Sequence, residues 1–111
     1  MKHRMNLQHA PFTMIRSGTK TVEMRLFDEK RALIKVGDSI EFTDLETGEK
    51  LVCTVANLHR YASFEALYAH HEKTSIGYAE DEKADPSDML VYYPREKIEK
   101  YGVVGIEIRL L

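Results

Sequence analysis

The sequence predicts an α+β fold in which short, mostly antiparallel strands curl into a small mixed barrel flanked by short helices. Three observations predict it. The end of the chain alternates cleanly, with Val104, Ile106, Ile108 and Leu110 on one face and Gly105, Glu107 and Arg109 on the other. That period of two marks a half-buried strand. A second alternating run, Ser39 to Thr43, leads through Leu45-Glu46-Thr47-Gly48-Glu49 into a strand-like run from Lys50 to Leu58, the layout of a hairpin. Between these strands, proline, serine and glycine punctuate short segments of helical spacing. With 111 residues, 43% of them apolar, the chain suits one domain over residues 1–111 with one core.

Each element has its own local reason. Pro11 suits the first turn of a helix with Phe12 and Ile15 turned inward, and Gly18 ends it in a left-handed cap. Thr21 to Phe27 reads as a strand, Asp28 to Ile34 as a helical turn, and Gly37-Asp38 as the next turn. In the hairpin, Ile40 and Phe42 share one face. Ser63 caps a helix whose first turn carries Glu65 and whose inner face is Phe64, Leu67, Tyr68 and His71. Ala79 to Asp88 holds five acids and a proline and reads as an exposed loop. Pro94 opens a last helix with Ile98 and Tyr101 inward, and Gly102 stops it.

Composition excludes several classes. No apolar run approaches membrane-spanning length. The start, Met1-Lys2-His3-Arg4-Met5-Asn6, lacks the apolar stretch of a signal peptide, so a cytoplasmic location is expected. The single cysteine, Cys53, excludes an internal disulfide and reads as a small buried hydrophobe. No metal or cofactor is expected. His70 and His71 are adjacent and would diverge by about 100° on a helix, and His9 and His59 show no ligand spacing. The acids at 80–88 lack the order of a calcium loop. The net charge of −2 hides a split. Residues 1–35 hold eight Lys or Arg against three acids, and the other 76 hold eight against fifteen. Such a field steers an anionic ligand to the N-terminal third. A pI near 6.2 argues against tight nonspecific binding of long duplex DNA.

The run Gly18-Thr19-Lys20-Thr21-Val22-Glu23-Met24-Arg25 stands out. Strand alternation places Glu23 and Arg25 on one face and Val22, Met24 and Leu26 on the other, in the core. Lys20 joins the first pair only if it lies in the turn before the regular strand, which Gly18 permits. An ammonium, a carboxylate and a guanidinium would then line one recess suited to a polar or anionic ligand.

That run matches the glycine-x-lysine-x-x-glutamate-x-arginine signature of the ASCH family. The runs Val36-Gly37-Asp38-Ser39-Ile40-Glu41-Phe42, His59-Arg60-Tyr61-Ala62-Ser63-Phe64 and Tyr101-Gly102-Val103-Val104-Gly105-Ile106-Glu107-Ile108 also resemble that family. The resemblance covers nearly the whole chain. It implies a β-barrel related to the PUA fold and a cleft that binds single-stranded RNA, a nucleotide or a modified nucleoside. In such a cleft Lys20, Glu23 and Arg25 would bind the ligand's polar groups, and Tyr61, with Tyr92 and Tyr93, would stack on its bases if they line it. Some small members deacylate N4-acetylcytidine and others are ribonucleases. In the deacylase branch the lysine corresponds to Lys20 and a threonine to the position of Glu23, and Glu72 is the candidate for a distal glutamate. A hydrolase reading therefore rests on Lys20 and Glu23, with Glu72 in support. Lys20→Ala and Arg25→Ala are expected to leave the fold intact.

Overall fold

One long strand with one irregular pairing sets the architecture. The computed structural model describes residues 1–111. In chain order the elements are strand β1 (Lys2–Leu7), helix α1 (His9–Ser17), strand β2 (Val22–Leu26), a 3₁₀ turn (Arg31–Leu33), strands β3 (Ser39–Asp44) and β4 (Lys50–Tyr61), helix α2 (Phe64–His70), a 3₁₀ helix (Pro86–Val91), helix α3 (Arg95–Tyr101) and strand β5 (Val103–Leu110). The strands form one sheet in the order β1-β3-β4-β5-β2. Only β1 and β3 run parallel; every other pair is antiparallel. The pairing of β4 with β5 slips between Val55 and Asn57. A bulge of this kind bends a strand and raises its twist. β4 thus pairs with β3 through its first half and with β5 over most of its length, and the sheet curls into a half-barrel.

Two apolar clusters cover the two faces. Inside the curl lie Phe12 and Ile15 of α1 with Ile40, Phe42, Val55, Val104 and Ile106. Outside it Val22, Met24, Leu26 and Val103 pack under Phe64 and Leu67 of α2, Ile76 and Met89. Cys53 is fully buried, and burial pushes its thiol up to about 11. Ser63 caps α2 by accepting the Ala66 amide at 3.2 Å. No helix is long and apolar enough to cross a membrane.

Four local readings need correction. No element is expected from the sequence before the first helix, yet Lys2–Leu7 forms an edge strand. Only Met5 and Leu7 are buried there, too short an apolar signal to read as a strand. The strand expected to stop at Leu58 continues to Tyr61 beyond the bulge. Ala79–Asp88 is not loop throughout, because Pro86 opens a 3₁₀ helix that buries Met89. His71 lies just past α2 in extended conformation rather than on its inner face.

Two carboxylates tie strand ends together. Asp44 is 1% exposed and accepts His9 Nδ1 at 2.7 Å and the amide of Glu46 at 2.8 Å, which fixes the β3–β4 hairpin against α1. Burial alone would raise its pKa, but the His9 and turn-amide bonds prevail and hold it low. Asp38 accepts His3 Nε2 at 2.8 Å and the Lys35 amide at 3.0 Å, joining the start of β1 to the turn before β3. Chiefly through the His3 bond, its pKa falls from 3.8 to about 2. A carboxyl depressed in the folded state stabilises the fold fully above its unfolded pKa and loses that contribution as pH falls through the folded one. Thermal melts of wild type and Asp38→Asn from pH 6 to pH 2 should therefore differ by a constant Tm gap down to about pH 4. That gap should close by about pH 2; a gap independent of pH would refute the anchor.

Candidate nucleic-acid interface

The offset between Lys20 and the first residue of β2 decides the site. Gly18 ends α1 at φ 85°, a left-handed turn that a residue with Cβ resists. The amides of Thr19 and Lys20 both donate back to the Met14 carbonyl, at 3.0 and 3.1 Å. Lys20 thus sits in a turn, outside the strand alternation. Glu23 pairs across the sheet with Ile106 and Arg25 with Val104, so both carry their side chains to the inner face of the curl. The amides of Thr21 and Val22 both donate to the Ser75 carbonyl at 2.9 Å, which laces the following segment to the start of β2.

These three side chains meet. Glu23 Oε1 lies 3.0 Å from Lys20 Nζ, and Arg25 Nε donates to Glu23 Oε2 at 2.8 Å. Arg25 Nη2 donates to the Asn6 carbonyl of β1 at 2.8 Å. The bond crosses the one seam of the half-barrel, because β1 and β2 are the sheet edges and do not pair. Lys20 is 7% and Glu23 4% exposed. Burial by itself would raise the Glu23 pKa; the two cations prevail and hold the carboxyl below its usual range. Burial alone would lower the Arg25 pKa, but Glu23 raises it. Two cations share one carboxylate, so the trio carries one unit of excess positive charge.

A cleft of about 440 Å³ opens over this charge. Asn6, Pro11 and Met14 form one side, and Tyr68, Ile76, Gly77, Tyr78, Met89, Tyr92 and Tyr93 form the other. Gly77 presses on the lysine: at φ 114° it has no Cβ, and one built there would lie 3.3 Å from Lys20 Cδ and 3.4 Å from Nζ. Tyr93 stacks on Phe64 with ring centroids 6.1 Å apart, whereas Tyr92 is 63% exposed at the mouth. Glu82 and Asp88 add carboxylates to the rim. No serine, threonine, cysteine or histidine lines the cleft.

The remaining residues singled out from the sequence lie elsewhere. Tyr61 belongs to β4, where its hydroxyl meets His71 Nε2 at 2.9 Å and its ring stacks on His70 at 5.3 Å. It is not part of the cleft wall. Glu72 is exposed, and its carbonyl closes a turn with the Ser75 amide at 3.1 Å. His59 pairs with Glu107 at 3.0 Å. No group of three or more His, Cys, Asp or Glu side chains is placed to hold a metal ion. Sequence reasoning missed Tyr68, Tyr78, Glu82 and Asp88. Tyr68 shares helical spacing with Phe64 and so read as core, and the other three lie in segments without periodicity.

A family model described as the ASCH domain matches residues 5–111. The chain belongs to the ASCH domain family. Two solved structures support the same frame. The crystal structure of the hypothetical protein PH0355 is 33% identical, covers all of both chains and superposes with a TM-score of 0.85. The solution structure of protein PF0455 from Pyrococcus furiosus is 34% identical, covers 100% of this chain and 98% of that one, and gives a TM-score of 0.78. No curated protein matches. The half-barrel with short helices is the PUA-like fold of such proteins. In this ASCH domain the signature run contributes the floor of the cleft, and the segments with no signature contribute its walls.

The trio has unequal members. Removing the carboxylate leaves two buried cations facing each other, whereas removing either cation leaves Glu23 paired. Glu23→Gln should cost about 3–5 kcal/mol in a urea melt with little change of slope. Lys20→Met should cost far less, and Arg25→Ala should fall between because it also releases Asn6. A Glu23→Gln protein as stable as wild type would mean that the carboxylate does not hold the cations.

Proposed function

We propose that this ASCH domain binds single-stranded RNA or a nucleotide in the cleft above Lys20, Glu23 and Arg25. The observation that carries the reading is the buried excess charge at the base of a recess walled by tyrosines. An anionic group gains more from a partly desolvated cation than from one in water. Lys20 has an ammonium held by a single carboxylate contact at 3.0 Å, leaving donors to spare. Arg25 is held by Glu23 and Asn6 through Nε and Nη2 and orients the pair. Tyr92, free at the mouth, offers a face for a base, since stacking tolerates any sequence. Tyr61 has no share in this binding surface.

Hydrolysis of a modified nucleoside or of RNA is the alternative, and it has weaker support. The position that carries a threonine in the deacylase branch is Glu23, and no serine or threonine hydroxyl lines the recess. Glu23 is also held below the usual carboxylate range, which makes it a poor base.

Fluorescence anisotropy with a labelled single-stranded tetranucleotide tests the proposal. Lys20→Met should weaken binding and flatten the log–log salt dependence by about 0.7. Tyr92→Ala should cost about 1–3 kcal/mol. Wild type that fails to bind RNA or mononucleotide, or a Lys20→Met protein with unchanged affinity, would defeat the reading. Incubation with N4-acetylcytidine should give no turnover; release of acetate would move the assignment to the hydrolase.

A further inference from the structure

The cleft has a second polar feature, remote from the signature run. Tyr68 Oη and Tyr78 Oη lie 2.9 Å apart, and Tyr78 Oη donates to Asp88 Oδ2 at 2.7 Å. All three residues line the cleft. The direction of the protons follows from the chemistry of the acceptors. A carboxylate only accepts, and the other group near Tyr78 Oη is the Asp85 carbonyl at 3.2 Å, which also only accepts. The single Tyr78 proton is therefore committed to the acidic side. Tyr68 must then donate its own proton to Tyr78, because no other donor occupies that contact. A Tyr68 oxygen that has spent its proton presents lone pairs alone.

The rim agrees in sign. Asp88 contributes a charged acceptor, and the Glu82 carboxylate stands at the same opening with its Oε1 bonded to the Ala79 amide at 2.6 Å. The floor, by contrast, donates, through Lys20. The recess is thus polarised, with donors at the base and acceptors along the Tyr68–Tyr78–Asp88 wall. From this polarity we infer that the site selects bases that present an amino group, and so prefers cytosine to uracil. Those two bases share size and shape but differ on one edge: cytosine carries an amino group with two donors beside a ring nitrogen lone pair, whereas uracil carries a single ring N–H between two carbonyl acceptors. Against a wall of several lone pairs the two amino donors both find partners, whereas the single N–H of uracil can bond only by bringing its flanking carbonyls against other acceptors. This inference rests on the nucleotide reading above and specifies which nucleotide it favours.

Paired tetranucleotides of cytidine and uridine provide the test, measured by anisotropy on wild type, Tyr78→Phe, Asp88→Asn and Lys20→Met. Wild type should favour the cytidine oligomer by about five- to 150-fold, the equivalent of one unmatched polar group. Tyr78→Phe removes the acceptor for Tyr68, whose hydroxyl can then donate to a carbonyl, so the preference should vanish or reverse. Asp88→Asn keeps the shape of the wall but removes the charge that directs the protons, and should lower the same ratio even if Tyr78→Phe fails to fold. Equal wild-type affinity for both oligomers, with Lys20→Met weakening both, would overturn the selectivity and leave the binding site standing. A cytidine preference that survives both wall variants would also overturn it. Absence of binding to either oligomer would remove the nucleotide reading and this inference together.

Discussion

Burying one carboxylate between two cations is the constraint on which the rest of the molecule depends. Glu23 is nearly inaccessible, and a lone ionised carboxylate at such a place would be expelled or protonated. It persists because Lys20 reaches it from a turn and Arg25 from the same strand face. Each cation brings a piece of architecture with it. Lys20 requires the left-handed Gly18 and the bare backbone of Gly77. Arg25 requires β1, whose Asn6 carbonyl accepts from its Nη2. The charged group therefore ties α1, β1, β2 and the segment after α2 to a single point.

The same constraint explains why the cleft lies where it does. A curled sheet whose edge strands do not meet leaves a seam, and unpaired strand edges are usually paired, covered or charged. Here an arginine side chain spans the seam where backbone pairing would have closed a full barrel. A side-chain bridge occupies less width than a ladder of strand bonds, so space remains beside it. The cleft is that space, with its charge supplied by the bridging group itself. Fold closure and the proposed ligand site thus draw on the same three residues.

What the sequence discloses follows the reach of local rules. Glu23 and Arg25 lie two apart, so strand alternation alone puts them on one face, and a glycine two residues before Lys20 signals the turn that brings it in. The hairpin and the last strand carry enough alternating apolar residues to be read directly. β1 does not, because an edge strand with two buried side chains has almost no pattern. Tyr61 lies outside the cleft, at the end of β4, where it pairs with Val103 of β5, a pairing that no residue near it signals. Asp44 and Tyr78 were equally hidden, since their partners His9 and Asp88 are fixed only by the packing of distant segments.

Glutamate at position 23 also bears on which chemistry the cleft can support. By the resemblance drawn from the sequence, the deacylase branch of the ASCH family carries a threonine there, a neutral hydroxyl beside a lysine. A carboxylate in that place is a counterion first. It binds the ammonium and the guanidinium in the resting state, and burial strengthens both attractions by excluding water. A group so engaged has little left to offer a substrate proton, because withdrawing it from its cations would unpair them in a low-dielectric site. The arrangement is a buried, charged anchor. That combination fits a recess which holds a ligand by a fixed positive charge and reads it along a polarised wall.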